Sequence, residues 1–375
     1  MKTRVLFIFI TALTFSISSA FAGTTYTWTG SSNNNWNNNA NWSPNTGHPV
    51  AGDAAIIPAT TNKPTVNVAS ACQSVTISGA TTITLSAALT VSGAFTINAT
   101  LTFAGTSSVT ISGATSFGYN ISMAIGANNT VSFASGSSLT LGGNSSNFIT
   151  NSGTLQFTSS TLTMGFQTYI TNNGTCTMSS TTINSTGNNS TITNNGTLQL
   201  TGCTYYMAFQ ANLTNNSTCT ISSSTITLSG NNGTIANTAT FTVTSTPITL
   251  LGQATAITNT GSSAVFTLNG DAVTLGTGNT ANITNSSGAF FVAYGGSSIA
   301  VNSFQGYINN SANFYAGSSN SACPITLNYQ SSYITNSGTF YVGSTSGISV
   351  SGYQAAITNA SGGFFIFQSD AYGSA

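Results

Sequence analysis

The chain has 375 residues, and only six are charged: Lys2, Arg4, Asp53, Lys63, Asp271 and Asp370, for a formal net charge of zero. Ordinary soluble domains are about one-quarter charged, so polarity here rests on Thr, Ser, Asn and Gly. With Lys63 as the sole cation beyond the first four residues there is no basic surface for phosphate backbones, so no nucleic-acid partner is expected. Disorder is excluded too, because Val, Ile, Leu and Phe recur throughout at strand spacing.

Residues 1–22 read as a secretory signal: Lys2 and Arg4 form the positive end, Val5 to Leu13 the apolar stretch, and Ala20-Phe21-Ala22 the cleavage site before Gly23. The expectation is a secreted, extracellular or outer-surface protein, with no membrane span in the mature chain, since no later run approaches the roughly 18 apolar residues a span requires. Residues 23–64 hold all three Trp (Trp28, Trp36, Trp42) and four of the six Pro, and read as an aromatic cap.

From about residue 65 the chain turns repetitive. Apolar-Thr-apolar triplets such as Val75-Thr76-Ile77, Phe95-Thr96-Ile97 and Val109-Thr110-Ile111 make irregular coils over 65–148. Regular repeats fill 149–375. Ten units open on an apolar residue and carry Asn in third place: Asn151, Asn172, Asn194, Asn215, Asn237, Asn259, Asn285, Asn310, Asn336 and Asn359. Their spacing is 21–26 residues, the period of a solenoid in which each unit is one turn. The fold expected is all-β: a single-stranded right-handed parallel β-helix (β-solenoid) of about 21–26 residues per coil with an N-terminal aromatic cap. About fourteen coils at ~4.8 Å each would make a rod on the order of 65 Å long. Asn suits the repeat because it tolerates left-handed backbone angles and can bond the Asn above and below as a ladder.

Aligning the units on the opening apolar residue predicts two inward columns. At plus six stand Leu155, Cys176, Leu198, Cys219, Phe241, Ser263, Ala289, Phe314, Phe340 and Gly363; at plus eight stand Phe157, Met178, Leu200, Ile221, Val243, Val265, Phe291, Ala316, Val342 and Phe365. Cys176 and Cys219 then fall two coils apart, roughly 10 Å, where a disulfide needs about 7 Å or less. They read as small buried hydrophobes. The tenth unit runs to Ala375 with no polar cap, which suggests a longer protein or an end-to-end or edge association at that coil.

The N-terminal segment Tyr26-Thr27-Trp28-Thr29-Gly30, Trp36, Asn41-Trp42, Pro44, Pro49, Gly52-Asp53 and Ile56-Ile57-Pro58 resembles the opening of large secreted β-helix proteins. These occur among autotransporter-associated repeat proteins and the adhesin-like, repeat-rich surface proteins of gliding Gram-negative bacteria. Leu89-Thr90-Val91-Ser92-Gly93 is similar to their repeats, and the likeness covers roughly residues 24–113. It implies a surface-displayed, structural or adhesive bacterial protein, without naming a ligand. No recognisable sorting or translocator domain follows.

Catalysis is not expected. Polysaccharide-cleaving β-helices need paired carboxylates, or a base with bound calcium, whereas the three Asp are far apart in sequence, Glu is absent and Arg occurs only at position 4. The only His, His48, lies in the cap, and no CxxC suggests a metal. No cofactor is expected. Two surface features remain. A plus-seven outward column changes from Gln156 and Thr177 to Phe290, Tyr315, Tyr341 and Phe364, which reads either as a contact stripe for surface glycans or another protein subunit, or as a stiffening ladder. Thr161, Thr163, Thr182, Thr225, Thr227 and Thr249 form an outward Thr-x-Thr array, which ice-binding solenoids use to order water; Thr is equally an ordinary outward strand residue.

Overall fold

The computed structural model describes residues 23–318 and 320–368, the side chains of 143–145 and 368 excepted. The proposed signal, its cleavage after Ala22, and Asp370 lie outside these residues.

The chain is a parallel β-solenoid. One coil consists of three strands, Thr191–Asn194, Thr197–Thr201 and Thr204–Met207, which set its first, second and third faces. Each pairs in parallel with the strand one coil further on: Ile192 lies opposite Leu213, Leu198 opposite Cys219 and Tyr205 opposite Ile226. The second face stacks fourteen strands, from Ser70–Cys72 to Phe364–Gln368. The first and third faces merge where Ser138–Asn151 and Thr161–Asn172 run unbroken around their shared corner. Along each strand Val, Ile, Leu or Phe alternates with Thr or Ser. The period of two sends apolar side chains inward and hydroxyls outward. Each buried Leu, Ile or Phe contributes about 1.5–3 kcal/mol through removal from water.

The cap takes part in this stacking. Thr25–Trp28 pairs in parallel with Ala54–Ile57, which pairs in parallel with Ser74–Ile77, so strands within 23–64 already extend the third face. Trp28, Trp36 and Trp42 are buried, with edge-to-face centroid distances of 5.0 Å (Trp28–Trp42) and 4.8 Å (Trp36–Trp42). The Trp28 indole N–H donates to Asn62 O (2.8 Å), and that of Trp42 to Trp36 O (2.7 Å).

The ten Asn form one continuous ladder inside the rod. Each amide Nδ2 donates to the Oδ1 of the Asn one coil on, nine bonds of 2.7–2.9 Å from Asn151 to Asn359. The same Nδ2 groups reach the carbonyl that opens the next coil's second-face strand, as from Asn172 to Thr197 O (2.8 Å). The ladder Asn close strands with extended backbone. None of the ladder Asn is left-handed; left-handed positions recur at the other two corners, for example Ser180 and Ser223, and Asn189 and Gln210. The amide's bonding capacity, rather than tolerance of positive φ, is therefore what the repeat uses. The ladder begins where Ile125 stands opposite Asn151, and the buried Asn151 Oδ1 has no hydrogen-bond partner.

The predicted inward columns hold through Phe241 and Val243, then need correction. Asn237 precedes its next strand, at Thr240, by three residues, whereas Asn259 precedes Val265 by six, and Asn285 and Asn359 precede Phe290 and Phe364 by five. These longer corners accommodate positive φ at Gly261, Ser287, Gly288 and Gly362, so counting from the opening residue slips the register. Phe266, Phe291 and Phe365 occupy the places assigned to Ser263, Ala289 and Gly363. Leu268, Ala293 and Phe367 replace Val265, Phe291 and Phe365. The result is a stack of six core rings, Phe241, Phe266, Phe291, Phe314, Phe340 and Phe365, with neighbouring centroids 4.5–5.1 Å apart.

All five cysteines are buried free thiols. Cys176 and Cys219 sit in one inward column with Leu198 between them. Burial pushes the Cys176, Cys72 and Cys323 thiols up to about 12, which suppresses the thiolate.

Asn237→Ala removes the amide's bonds to Ala239 O, Asn259 Oδ1 and Val265 O, and takes from the Asn215 amide its acceptor in the ladder. The expected cost is about 3 kcal/mol by chemical denaturation, whereas Asn195→Ala, on the exposed side of the same corner, should stay within about 0.5 kcal/mol.

Candidate contact surfaces

The described acids are structural. Asp53 accepts from the backbone N–H of Thr24 (2.7 Å) and Val50 (3.1 Å), closing a turn in the cap. Asp271 is 1% exposed and accepts from the backbone N–H of Thr246 and of Asn269, both at 2.6 Å. Asp271 extends a column of short polar side chains at the corner between the second and third faces. There Ser224 Oγ accepts from Cys203 N, Thr246 Oγ1 from Ser224 N, and Ser297 Oγ from Asp271 N. Burial raises the Asp271 carboxyl above its ordinary value of 3.8, and the two N–H donors oppose that rise. His48 contacts Asn37 (3.3 Å) and Asn39 (2.9 Å) within the cap. Among the described residues no cluster of three or more His, Cys, Asp or Glu could hold a metal.

The outward surface of the second face has two regions. Over five coils it carries three aligned polar columns: Thr154-Thr175-Thr197-Thr218-Thr240, Gln156-Thr177-Gln199-Thr220-Thr242 and Thr158-Ser179-Thr201-Ser222-Thr244. Beyond them the middle column becomes Thr267, Val292, Tyr315, Tyr341 and Ile366. The predicted stripe is thereby redrawn. Tyr315 and Tyr341 are true neighbours, with rings 4.5 Å apart and 3° from parallel. Phe290 lies one pleat away, opposite Val265 and Asn313, and meets Tyr315 diagonally at 6.4 Å. Phe364 lies opposite Thr339 and is 62% exposed. The four residues form a patch two columns wide, with Ile366 beside them and a buried Val292 (9% exposed) in the same middle column. These two were missed because the slipped register gave their places to Phe290 and Phe364.

The six predicted Thr do share the third face. Thr161, Thr182 and Thr225 fall in one column, and Thr163, Thr227 and Thr249 in the next, interrupted by Asn184 and Tyr206. The second-face array is wider and has no aromatic interruption. Its sequence signal was the Thr-x-Thr of Thr175–Thr177, Thr218–Thr220 and Thr240–Thr242, which flanks the core columns. On the first face the Thr of the opening repeat forms a further outward column, including Thr150, Thr171, Thr193 and Thr214. Beside it stand two stacked aromatic pairs, Phe148–Tyr169 and Tyr307–Tyr333, each with centroids 5.1 Å apart. Burial, with the neighbouring Tyr307 second, raises the Tyr333 phenol above its ordinary value.

Because the folded Asp271 carboxyl binds its proton more tightly than an unfolded one, its ionisation favours unfolding. Stability from this group is present in full below about pH 4 and is lost as pH rises through the raised folded value. Asp271→Thr keeps an acceptor for Thr246 N–H and removes the titration. Its melting temperature should lack the decline that the parent shows above about pH 4, as thermal scans across pH would reveal.

No protein-family model, no curated protein and no solved structure matches this chain.

Proposed function

We propose that the protein is a secreted or surface-displayed structural and adhesive rod without catalytic activity, whose contacts run through its repeated polar faces and an aromatic patch. The observation that carries this reading is the change in surface along one face. The core phenylalanine stack continues from Phe241 to Phe365, while the outward columns over it pass from Thr and Gln to Phe290, Tyr315, Tyr341, Phe364 and Ile366. Core packing does not require outward aromatics, and contiguous exposed apolar area marks contact sites. Support against catalysis comes from Asp53 and Asp271, whose carboxylates are both committed to backbone N–H groups.

A second reading, ice binding, is favoured by the three-column Thr-rich array of the second face, where hydroxyls and methyls repeat along the rod at the coil rise of ~4.8 Å. Ice-recrystallisation and thermal-hysteresis measurements separate the two. Activity that disappears in Thr177→Tyr with Thr220→Tyr would replace the adhesive reading.

The export half is tested by fractionating cells that express the full chain and sequencing the mature N-terminus, expected at Gly23; retention of Met1–Ala22 in the cytoplasm would sink it. The adhesive half is tested by adsorption of residues 23–375 to polysaccharide-coated and protein-coated surfaces. Tyr315→Ala with Tyr341→Ala should reduce adsorption several-fold at unchanged melting temperature. Unchanged adsorption would make the patch structural.

A further inference from the structure

On the first face, Tyr307 and Tyr333 project from successive coils in one outward column, their rings 5.1 Å apart and 9° from parallel. The column continues to Ala356 on the next coil. The ring ladder therefore stops at Tyr333, with one aromatic face turned toward a methyl group. The step that would carry a third ring is one coil rise, ~4.8 Å, matching the separation of the rings already stacked. A groove of about 520 Å³ runs past this step, lined by Thr280, Gln305, Ser331, Gln354 and Thr358 together with the two Tyr and Ala356.

The polar rim is held by the corner backbone. Gln305, Ser331 and Gln354 adopt left-handed φ of 53°, 55° and 56°. The N–H groups of Gln305 and Ser331 are bonded to Gln330 O and Tyr353 O of the following coil. The side chains are left to face the groove. No charged side chain lines it.

We propose that this groove binds an uncharged pyranose of a neutral glycan, with the sugar's C–H face stacked on Tyr333 above Ala356 and its hydroxyls bonded by the Gln305 and Gln354 amides and the Ser331 and Thr358 hydroxyls. A pyranose offers one apolar face and a rim of donors and acceptors, which is the complement of an aromatic shelf flanked by amides and hydroxyls. Phosphate-bearing ligands and acidic glycans find no cation here. An added peptide strand would pair along the edge of Ala356–Asn359, which among the described residues is bonded on one side only, and would extend the face there rather than fill the groove that lies over its outward side chains.

The site deepens the adhesive reading and rests on it for its biological use, but its test stands apart. Residues 23–375 are titrated calorimetrically with cellohexaose and laminarihexaose, with an oligogalacturonate as the charged comparison. A neutral hexamer should bind with a dissociation constant of about 1 mM or tighter, and the oligogalacturonate should bind at least tenfold more weakly. Tyr333→Ala should weaken the neutral sugar at least tenfold, and Tyr333→Trp should retain it. Ala356→Tyr completes the ring ladder and fills the shelf. It should leave the melting temperature unchanged or raised and abolish sugar binding, a loss that unfolding could not explain. The proposal is overturned if neither neutral hexamer binds, if the charged oligomer binds as well, or if Ala356→Tyr leaves binding intact. Should surface adsorption depend on Tyr315 and Tyr341 while Ala356→Tyr changes neither sugar binding nor adsorption, the groove assignment fails and the adhesive reading stands.

Discussion

The structure depends on how a buried amide can be satisfied in a rod with almost no charged side chains. An Asn side chain inside a β-solenoid must find partners for two donors and an acceptor, or it costs about 1–3 kcal/mol per unmet group. Here the partner of each Asn is the next Asn, and the spare N–H goes to the backbone carbonyl that opens the following second-face strand. One residue type thus fixes three things: where the first strand ends, where the second begins, and how far the next coil is rotated. A coil placed one residue out of register would turn its Asn outward, and one placed two residues out would bury an amide against an apolar side chain. The ladder is therefore a register device as much as a source of stability, and it allows the corners beside it to vary in length without disturbing the stack.

That tolerance explains both what the sequence reveals and what it hides. The periodic Asn and the alternation of Leu155 with Phe157, or Leu198 with Leu200, declare a parallel coil, a core and widely spaced cysteines, because period and pleat are local properties. The positions of Phe266, Phe291 and Phe365 are not local. They depend on how many residues each corner absorbs after Asn259, Asn285 and Asn359, and a Gly-Ser corner of two residues or five is equally compatible with the flanking strands. Hence the stripe was legible as a change of surface chemistry, while Phe290 and Phe364 were placed one pleat from where they stand. The Tyr307–Tyr333 pair was visible as Tyr preceding Ile in consecutive units. Its significance emerged only with the small Ala356 beside it and the corner glutamines above it.

The fold also separates two kinds of selection on the same strand. Inward positions see a stack that needs continuity, and they stay apolar while their volumes differ, as in Leu, Cys, Leu, Cys, Phe along one column. Outward positions see water and pair mainly with the coil above and below, so Thr is favoured by strand preference alone. An aromatic, an amide corner or an interruption on the outside is then a departure from what the architecture requires. Besides Phe148, Tyr169 and Tyr206, such departures gather between Phe290 and Ile366, on the first and second faces together.

The ladder has a further property. Every one of its nine amide bonds points the same way, donor toward the C-terminal coil and oxygen toward the N-terminal one, and it starts at an Asn151 oxygen that nothing meets. Aligned amides add their dipoles as peptide units do in a helix. A rod with zero net charge is consequently not electrically symmetrical. It has a head and a tail, and each coil presents to the next a donor that only a correctly seated Asn accepts. A chain emerging N-terminus first can thus be completed in order, each finished turn serving as the template for its successor.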